Sequence, residues 1–312
     1  MEITKSAARI AAAQAPRAGK LSLDHVAHFV PDIDAASTAF QALGFTLTPF
    51  SAQMHRLEDG GPLVPAGAGN RCVMLERGYI ECLTPTADTV IADQLNAAIA
   101  RYTGLHLIAF GTGDAAADHV RLGRQQFAPL AMVDLQRTIG TPDGEATARF
   151  SVVRVAPGTM AEGRIQFCRQ HTPELLWQSR WTRHPNRAVA LKSVIVCVEN
   201  PEEAAQRYAH FTGIAATASG DDRIIDTARG RLLLVAPPAV QRVFRTDPPV
   251  LPWIFGSVLA SADMGKTRQS IVASGLPHGM LGDERLYVVA PPSIGGIMVF
   301  EPKRIAPFSL SH

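Results

Sequence analysis

No stretch of this chain approaches the roughly 18 to 20 consecutive apolar residues that cross a bilayer as a helix, so a helical membrane span is not expected. Charge of one sign is also scarce: the formal net charge is +2, and no basic run is interleaved with aromatics, so the electrostatic footprint of a nucleic-acid binder is missing. Cysteine is sparse. Cys72, Cys82, Cys168 and Cys197 form no CxxC pair and sit within or beside apolar alternating runs, which favours reduced, buried thiols over a metal cluster or a redox pair. The opening segment has no apolar run longer than Ile10 to Ala13, too short for a secretory signal core. Residues 1–20 therefore read as an N-terminal arm, loose or weakly helical, and the protein as cytoplasmic, with a small molecule as partner, no nucleic acid and no membrane. That reading leaves room for a homodimer.

What is present is a pattern that recurs four times, and internal repeats decide a fold before anything else does. Each copy opens with a short apolar strand, turns through Asp, Asn or Glu into a helix, and then runs through further strands. The first begins at Leu23-Asp24-His25-Val26-Ala27-His28-Phe29-Val30, with a helix from Pro31-Asp32 to Leu43 stopped by Gly44. The second begins at Leu105-His106-Leu107, has a helix from about Asp114 to Gln125 and a hairpin turn at Pro142-Asp143-Gly144, and ends in Arg164-Ile165-Gln166-Phe167-Cys168. The third opens at Ser193 to Val198, with its helix stopped by Gly213, and the fourth at Gly256 to Ser261, with its helix stopped by Gly275. Trp177 to Arg187 is polar and reads as a linker. The expected fold is α+β: four βαβββ modules paired into two curved mixed-sheet halves, residues 21–180 and 188–304. A module of this kind leaves one sheet face apolar and uncovered, and pairing modules removes that exposure.

The order of strand, helix and three strands resembles the vicinal-oxygen-chelate superfamily, which includes glyoxalase, bleomycin-resistance and extradiol-dioxygenase proteins. The most specific pieces are Asp24-His25, Gly69-Asn70-Arg71 and Gly78-Tyr79-Ile80-Glu81. The resemblance implies metal ligands on the first and last strands of paired modules, around a shared cleft. Carried over, it selects His25, Glu81 and His106, a facial triad suited to a divalent ion such as Fe(II), Mn(II), Zn(II) or Ni(II). Two registers compete for a fourth position. Matching Gly163 to Gly78 selects Gln166, and matching Thr172-Pro173 to Thr84-Pro85 selects Arg169; Gln166 is preferred because an amide oxygen can ligate a metal and a guanidinium cannot.

The resemblance also implies a metal-dependent lyase, isomerase or dioxygenase acting on adjacent oxygens, with Glu81 or His171 moving protons and Asn70 and Arg71 holding an anionic substrate. A non-catalytic protein that sequesters a small ligand is the alternative; it would need a cleft lined by aromatics, and aromatics are only 6% of the chain. Against the triad stands the ordinary role of a strand histidine as a hydrogen-bonded structural residue. In favour stands the cost of burying Glu81 unpaired in an apolar strand. His28 has the opposite strand parity to His25 and reads as structural or surface. His119, His184, His210 and His278 read as solvated. The corresponding positions of the second half are Ser193 or Val194, Leu233, Gly256 and Val299, which make no ligand set. Extradiol dioxygenases of similar length usually carry their triad there, so ring cleavage is not the favoured chemistry.

Overall fold

The computed structural model describes residues 10–56 and 61–310. The first quarter runs β1 (Leu21–Phe29), α1 (Ile33–Ala42), β2 (Ser51–Arg56), β3 (Leu63–Met74) and β4 (Tyr79–Pro85). A connecting helix α2 (Val90–Arg101) leads to β5 (Gly104–Thr112), α3 (Ala115–Arg124), β6 (Val133–Thr141), β7 (Gly144–Arg154) and β8 (Arg164–Gln170). After the short α4 (Pro173–Leu176) come β9 (Ala188–Cys197), α5 (Pro201–Thr212), β10 (Ala216–Ser219), β11 (Asp222–Asp226) and β12 (Arg231–Val235). The last part is α6 (Pro237–Phe244), β13 (Trp253–Ser261), α7 (Met264–Ala273), β14 (His278–Leu281), β15 (Arg285–Val289) and β16 (Ile297–Pro302).

The helices begin and end for local reasons. The Asp32 carboxylate accepts the backbone N–H groups of Asp34 and Ala35, which have no partner inside α1, and Asn200 does the same for Glu202 and Glu203 ahead of Pro201. Gly213 closes α5 in the left-handed region at φ 72°, a conformation that costs glycine little. The apolar sides of α1, α3, α5 and α7 share one core with outward strand residues such as Leu23, Val26, Ile108 and Phe110. Phe40, fully buried there, makes an edge contact with Phe45 at 5.8 Å. Truncating such a ring to alanine costs about 3–5 kcal/mol.

Strands β1-β4-β3-β2-β6-β7-β8-β5 are neighbours in that order, and β5 pairs back onto β1, so the ring of eight strands closes into a barrel. Within it β1 and β4 are parallel, as are β5 and β8. The seam between β2 and β6 rests on one pairing, Met54 with Gln136. The later strands continue from β5 through β13 as an open arrangement, β10-β11-β12-β9-β13-β16-β15-β14. The fold is therefore mixed α+β, a closed eight-stranded barrel with a further sheet joined to it.

Two segments differ from their sequence expectation. Residues 1–9 of the expected arm lie outside the described residues, but Gln14 is buried, donates to the carbonyls of Ile10 and Glu76 at 2.8 Å, and accepts from Arg229 at 2.7 Å. That part of the arm is pinned by a buried amide that needs partners. Trp177 to Arg187 is likewise no loose linker. Trp177 is fully buried and donates from its indole to the Leu75 carbonyl, and Asn186 donates to the Leu43 carbonyl at 2.9 Å. His184, expected to be solvated, is also buried; it accepts from the Thr46 N–H at 3.0 Å and donates to the Met74 carbonyl at 2.8 Å. Polar side chains here serve as buried ties between the sheets.

Candidate active site

The barrel encloses a cavity with an interior volume of about 70 Å³, room for several waters or a comparably small organic molecule. His25, Glu81 and Asn70 reach it from β1, β4 and β3, and Arg137, Arg154, Arg164 and Gln166 from β6, β7 and β8. These residues meet because side chains alternate faces along a strand, and the inward parity of each strand holds one or two polar groups among Tyr79, Leu83, Leu107, Leu135 and Phe150.

His25 is the most tightly organised of them. Opposite β5, Leu23 pairs with Phe110 and His25 with Ala109, so Asp24 is an extra residue on β1. A bulge of this kind re-aims side chains, and here it brings the Asp24 carboxylate 2.7 Å from His25 Nδ1, with both side chains almost completely buried. Because the carboxylate accepts, Nδ1–H donates, and the lone pair is left on Nε2. The described residues give Nε2 no hydrogen-bond partner. Tyr79 stacks on the imidazole with ring centroids 4.3 Å apart, and Gln170 donates to the same Asp24 oxygen at 3.1 Å. Ring position and tautomer are both fixed. Asp24 belongs to the site through this pair; its adjacency to His25 in sequence was visible, but the bulge that turns both side chains together was not.

On the two strands next to β1, Asn70 of β3 donates to Glu81 of β4, and it accepts from Arg137 across the cavity at 2.9 Å, linking carboxylate to guanidinium through one amide. Arg154 donates to Gln166 at 3.3 Å. Burial holds Arg164 down at about 10, with repulsion from Arg154 adding to it and Glu81 opposing it. Burial lowers Arg154 as well, against the pull of Glu81. It also opposes the charge on Arg137, but Cys72, Tyr79 and Glu81 outweigh it and leave that group raised. The three arginines were not singled out in the sequence. The signal was there: the match of Gly163 to Gly78 that selected Gln166 also places Arg164 where Tyr79 stands, two residues earlier and on the same face.

His106 does not join His25. Leu107 pairs with the first residue of β8, Arg164, as His25 pairs with the first residue of β4, Tyr79, so Leu107 holds the position equivalent to His25 and His106 that of Asp24. A slip of one residue moves a side chain to the other face of a strand. His106 lines a neighbouring cavity with Phe29, Ile91 and Arg101, one that shares Arg154 and Arg164 with the first; it stacks on Tyr102 at 3.9 Å and donates from Nε2 to the Tyr102 carbonyl at 2.7 Å. Burial pushes its pKa down to about 4. Arg71 also faces away from the cavity, donating to the Thr48 carbonyl at 3.4 Å and lying 3.8 Å from Asp34 on α1. His171, just beyond the end of β8, is exposed and bonded to the Ser151 hydroxyl at 2.7 Å, outside the cavity. His28, of opposite parity to His25, is buried and donates to the Ile294 carbonyl at 2.7 Å. All four cysteines are free and buried, and burial raises the thiols, Cys72 to about 12. Arg169 does not line the cavity, whereas Gln166 does.

The expected divalent-metal set does not fit this arrangement. Among the described residues no three His, Cys, Asp or Glu side chains are grouped to hold an ion. The acid–base donors that do reach the cavity, His25 and Glu81, share it with three guanidiniums, whose field opposes a dication. An imidazole oriented by a buried carboxylate, beside a strongly basic wall, can accept a proton and stabilise the negative charge that results.

Solved structures with the same fold have little sequence in common with this chain. A hypothetical protein from Staphylococcus aureus is 13% identical with a TM-score of 0.62, covering 90% of this chain and 99% of its own. A mutant 4-hydroxymandelate synthase from Streptomyces coelicolor is 13% identical at a TM-score of 0.54, covering 94% of this chain and 95% of its own. The Mn(II)-bound glyoxalase from Novosphingobium aromaticivorans is 10% identical at 0.51, covering 90% and 82%. No curated protein matches the chain. The glyoxalase-like domain family matches residues 23–212, which take in the whole barrel with its Asp24–His25 pair, and the chain belongs to that family and to the vicinal-oxygen-chelate superfamily.

Proposed function

We propose that the protein is an enzyme of the glyoxalase-like type, a lyase or isomerase that removes a proton from a small molecule bearing adjacent oxygens inside the first barrel. The observation that carries this reading is the buried Asp24–His25 pair at 2.7 Å, with Nε2 left free at the cavity wall. In the proposed reaction Nε2 takes a proton from the carbon beside a substrate carbonyl. The C–H electron pair becomes a C=C bond as the carbonyl π pair moves onto oxygen, and the enediolate so formed is stabilised by the neighbouring guanidiniums. Asp24 stabilises the imidazolium through Nδ1–H; in an isomerisation the proton returns from Nε2 to the adjacent carbon while the hydroxyl proton passes from one substrate oxygen to the other, and in a lyase reaction it goes to the leaving group as the C=C bond's electrons expel it. Glu81, tied to Asn70, balances part of the arginine charge. The alternative, sequestration of a small aromatic or antibiotic-like ligand, calls for a cleft lined by aromatics, and Tyr79 and Phe150 are the aromatic residues lining this one.

The division into four βαβββ modules and two halves, 21–180 and 188–304, is part of the same proposal. It is supported by the parallel pairing of first and last strands in each, β1 with β4, β5 with β8, β9 with β12 and β13 with β16.

The test is solvent exchange. A panel of small hydroxycarbonyl compounds and diketones is incubated with the protein in D₂O, and loss of the proton next to the carbonyl is followed by NMR. The wild type is expected to catalyse exchange on at least one compound, and His25→Ala to slow it by about 10²–10⁴-fold. Equal exchange by wild type and variant on every active compound would remove His25 from the reaction and overturn the proposal.

A further inference from the structure

The cavity wall holds more positive charge than the protein itself neutralises. Arg137, Arg154 and Arg164 line it, and Glu81 is the one carboxylate among the lining residues. Asp24 stands behind His25, and its charge is set against that of Arg229, which does not line the cavity. None of the three arginines is in a salt bridge among the described residues. Elsewhere in the molecule several partly buried arginines have carboxylate partners: Arg207 with Glu162 at 2.8 Å, Arg285 with Glu301 at 2.8 Å, Arg231 with Asp226 at 2.6 Å.

Only part of each cavity guanidinium is used. Arg137 lies over the Phe150 ring at 5.4 Å and Arg164 over Phe29 at 5.4 Å, contacts that occupy the flat faces and leave the N–H edges available. Arg137 gives one N–H to Asn70, and its Nε is buried with no partner. Arg154 has a long bond to Gln166 at 3.3 Å, and Arg164 one at 3.4 Å to Gln94. Placing like charges close together at the rim of a cavity is costly unless something completes the charge balance. With three guanidiniums against one carboxylate, the deficit is two negative charges.

We propose that the barrel cavity is a binding site for a small organic dianion, a dicarboxylate or phosphomonoester whose oxyanion groups receive the free N–H edges of Arg137, Arg154 and Arg164. This names the substrate class for the reaction proposed above and rests on that reading for its catalytic meaning, although binding itself does not depend on His25 acting as a base. A planar carboxylate or a tetrahedral phosphate meets the forked guanidinium through paired N–H···O bonds, and charged hydrogen bonds of this type are roughly twice as strong as neutral ones. Held on the arginine wall, such a molecule presents its remaining carbons toward the His25 side of the cavity.

The experiment uses the full chain and two probes, malonate and inorganic phosphate, with acetate and neutral dimethyl malonate as controls, followed by titration calorimetry at constant ionic strength. A dianion is expected to bind with saturable heat and acetate at least about 10-fold more weakly, with no heat from the neutral ester. Malonate binding without phosphate binding assigns a dicarboxylate, and the reverse a phosphomonoester. Arg164→Gln and Arg154→Gln should each weaken binding about 10-fold or more, whereas His25→Gln should retain it. In case a variant fails to fold, labelling of the wild type by phenylglyoxal gives an independent reading: malonate or phosphate should slow modification of Arg154 and Arg164. Absence of saturable dianion binding, or unchanged labelling in its presence, would overturn the inference. Binding that persists without proton exchange would overturn the proposed reaction and leave the anion site standing.

Discussion

The two halves of the chain pass through the same order of strands and helices, yet one is hollow and the other is filled. In the first, β1 to β8 close on themselves around a polar cavity; in the second, β9 to β16 stay open. The inner face of the second sheet packs Ile195, Leu233, Phe255 and Val299 against Val240 and Phe244 of α6, with Phe308 and Leu310 from the C-terminal segment completing the cover. Strand register makes the correspondence residue by residue. His25 and Leu107 stand beside the first residue of their parallel partner strand, as Ser193 and Gly256 do. Glu81 and Gln166 occupy the third residue of that strand, where the second half has Leu233 and Val299. One backbone plan thus supports a cavity with charged side chains or a dry core, according to a few inward positions.

Exchanging those inward residues is the harshest way to break the contrast. Leu233→Glu puts a carboxylate into the filled half with no cation beside it, and a loss of at least about 4 kcal/mol is expected in urea unfolding; a loss below about 1 kcal/mol would show that the second inner face is wet. The reverse change, Glu81→Leu, removes the carboxylate that offsets the arginine wall. About 2–4 kcal/mol should be lost, and added malonate should restore part of it, as read by the thermal midpoint.

Acid should separate the halves further. Burial lowers His28, His106 and His184 to about 4 from an ordinary value of 6.5, and all three belong to the first half or its junction. Between those values the unfolded chain takes up protons that the native one does not. Stability is therefore fully present above about pH 6.5 and falls as pH drops toward 4, by up to about 1.4 kcal/mol per pH unit for each histidine. The urea midpoint measured across that range checks it, and a flat profile would contradict it.

The smaller effects concern added metal and a residue outside the cavity. Dialysis against Mn(II), Fe(II), Zn(II) or Ni(II) followed by elemental analysis should give no stoichiometric metal, and a bound equivalent lost in His25→Ala would restore the metal reading. His171→Ala should leave proton exchange unchanged and alter stability by no more than about 0.5 kcal/mol, since the side chain is exposed on the outside of the barrel.

Much of the architecture was legible in the sequence because local rules governed it. Asp32 read as a helix start, Gly44, Gly213 and Gly275 as stops, and Pro142-Asp143-Gly144 as the turn between β6 and β7, each through backbone chemistry confined to a few residues. His25, Glu81, Asn70 and Gln166 were selected by the resemblance to vicinal-oxygen-chelate proteins, and strand parity is what brings all four to one cavity. His106 escaped because similarity of spacing, His25 to Phe29 against His106 to Phe110, is blind to a register one residue away. Bulges at Asp24 and His106 break the alternation that the spacing assumes. The arginine wall escaped because Arg on a strand usually faces solvent, and only closure of the ring makes its inward parity a cavity.

The sequence by itself determined where strands and helices begin and end, which residues alternate together, and that the second half lacks a polar inner set, since these depend on periodicity and capping within a few residues. Tertiary structure alone decided that β5 returns to β1, that Asp24 turns onto His25, and that three arginines of β6, β7 and β8 share a cavity with Glu81 of the distant β4. Those outcomes depend on pairing between distant strands, where a single residue of register reverses the face on which a side chain stands.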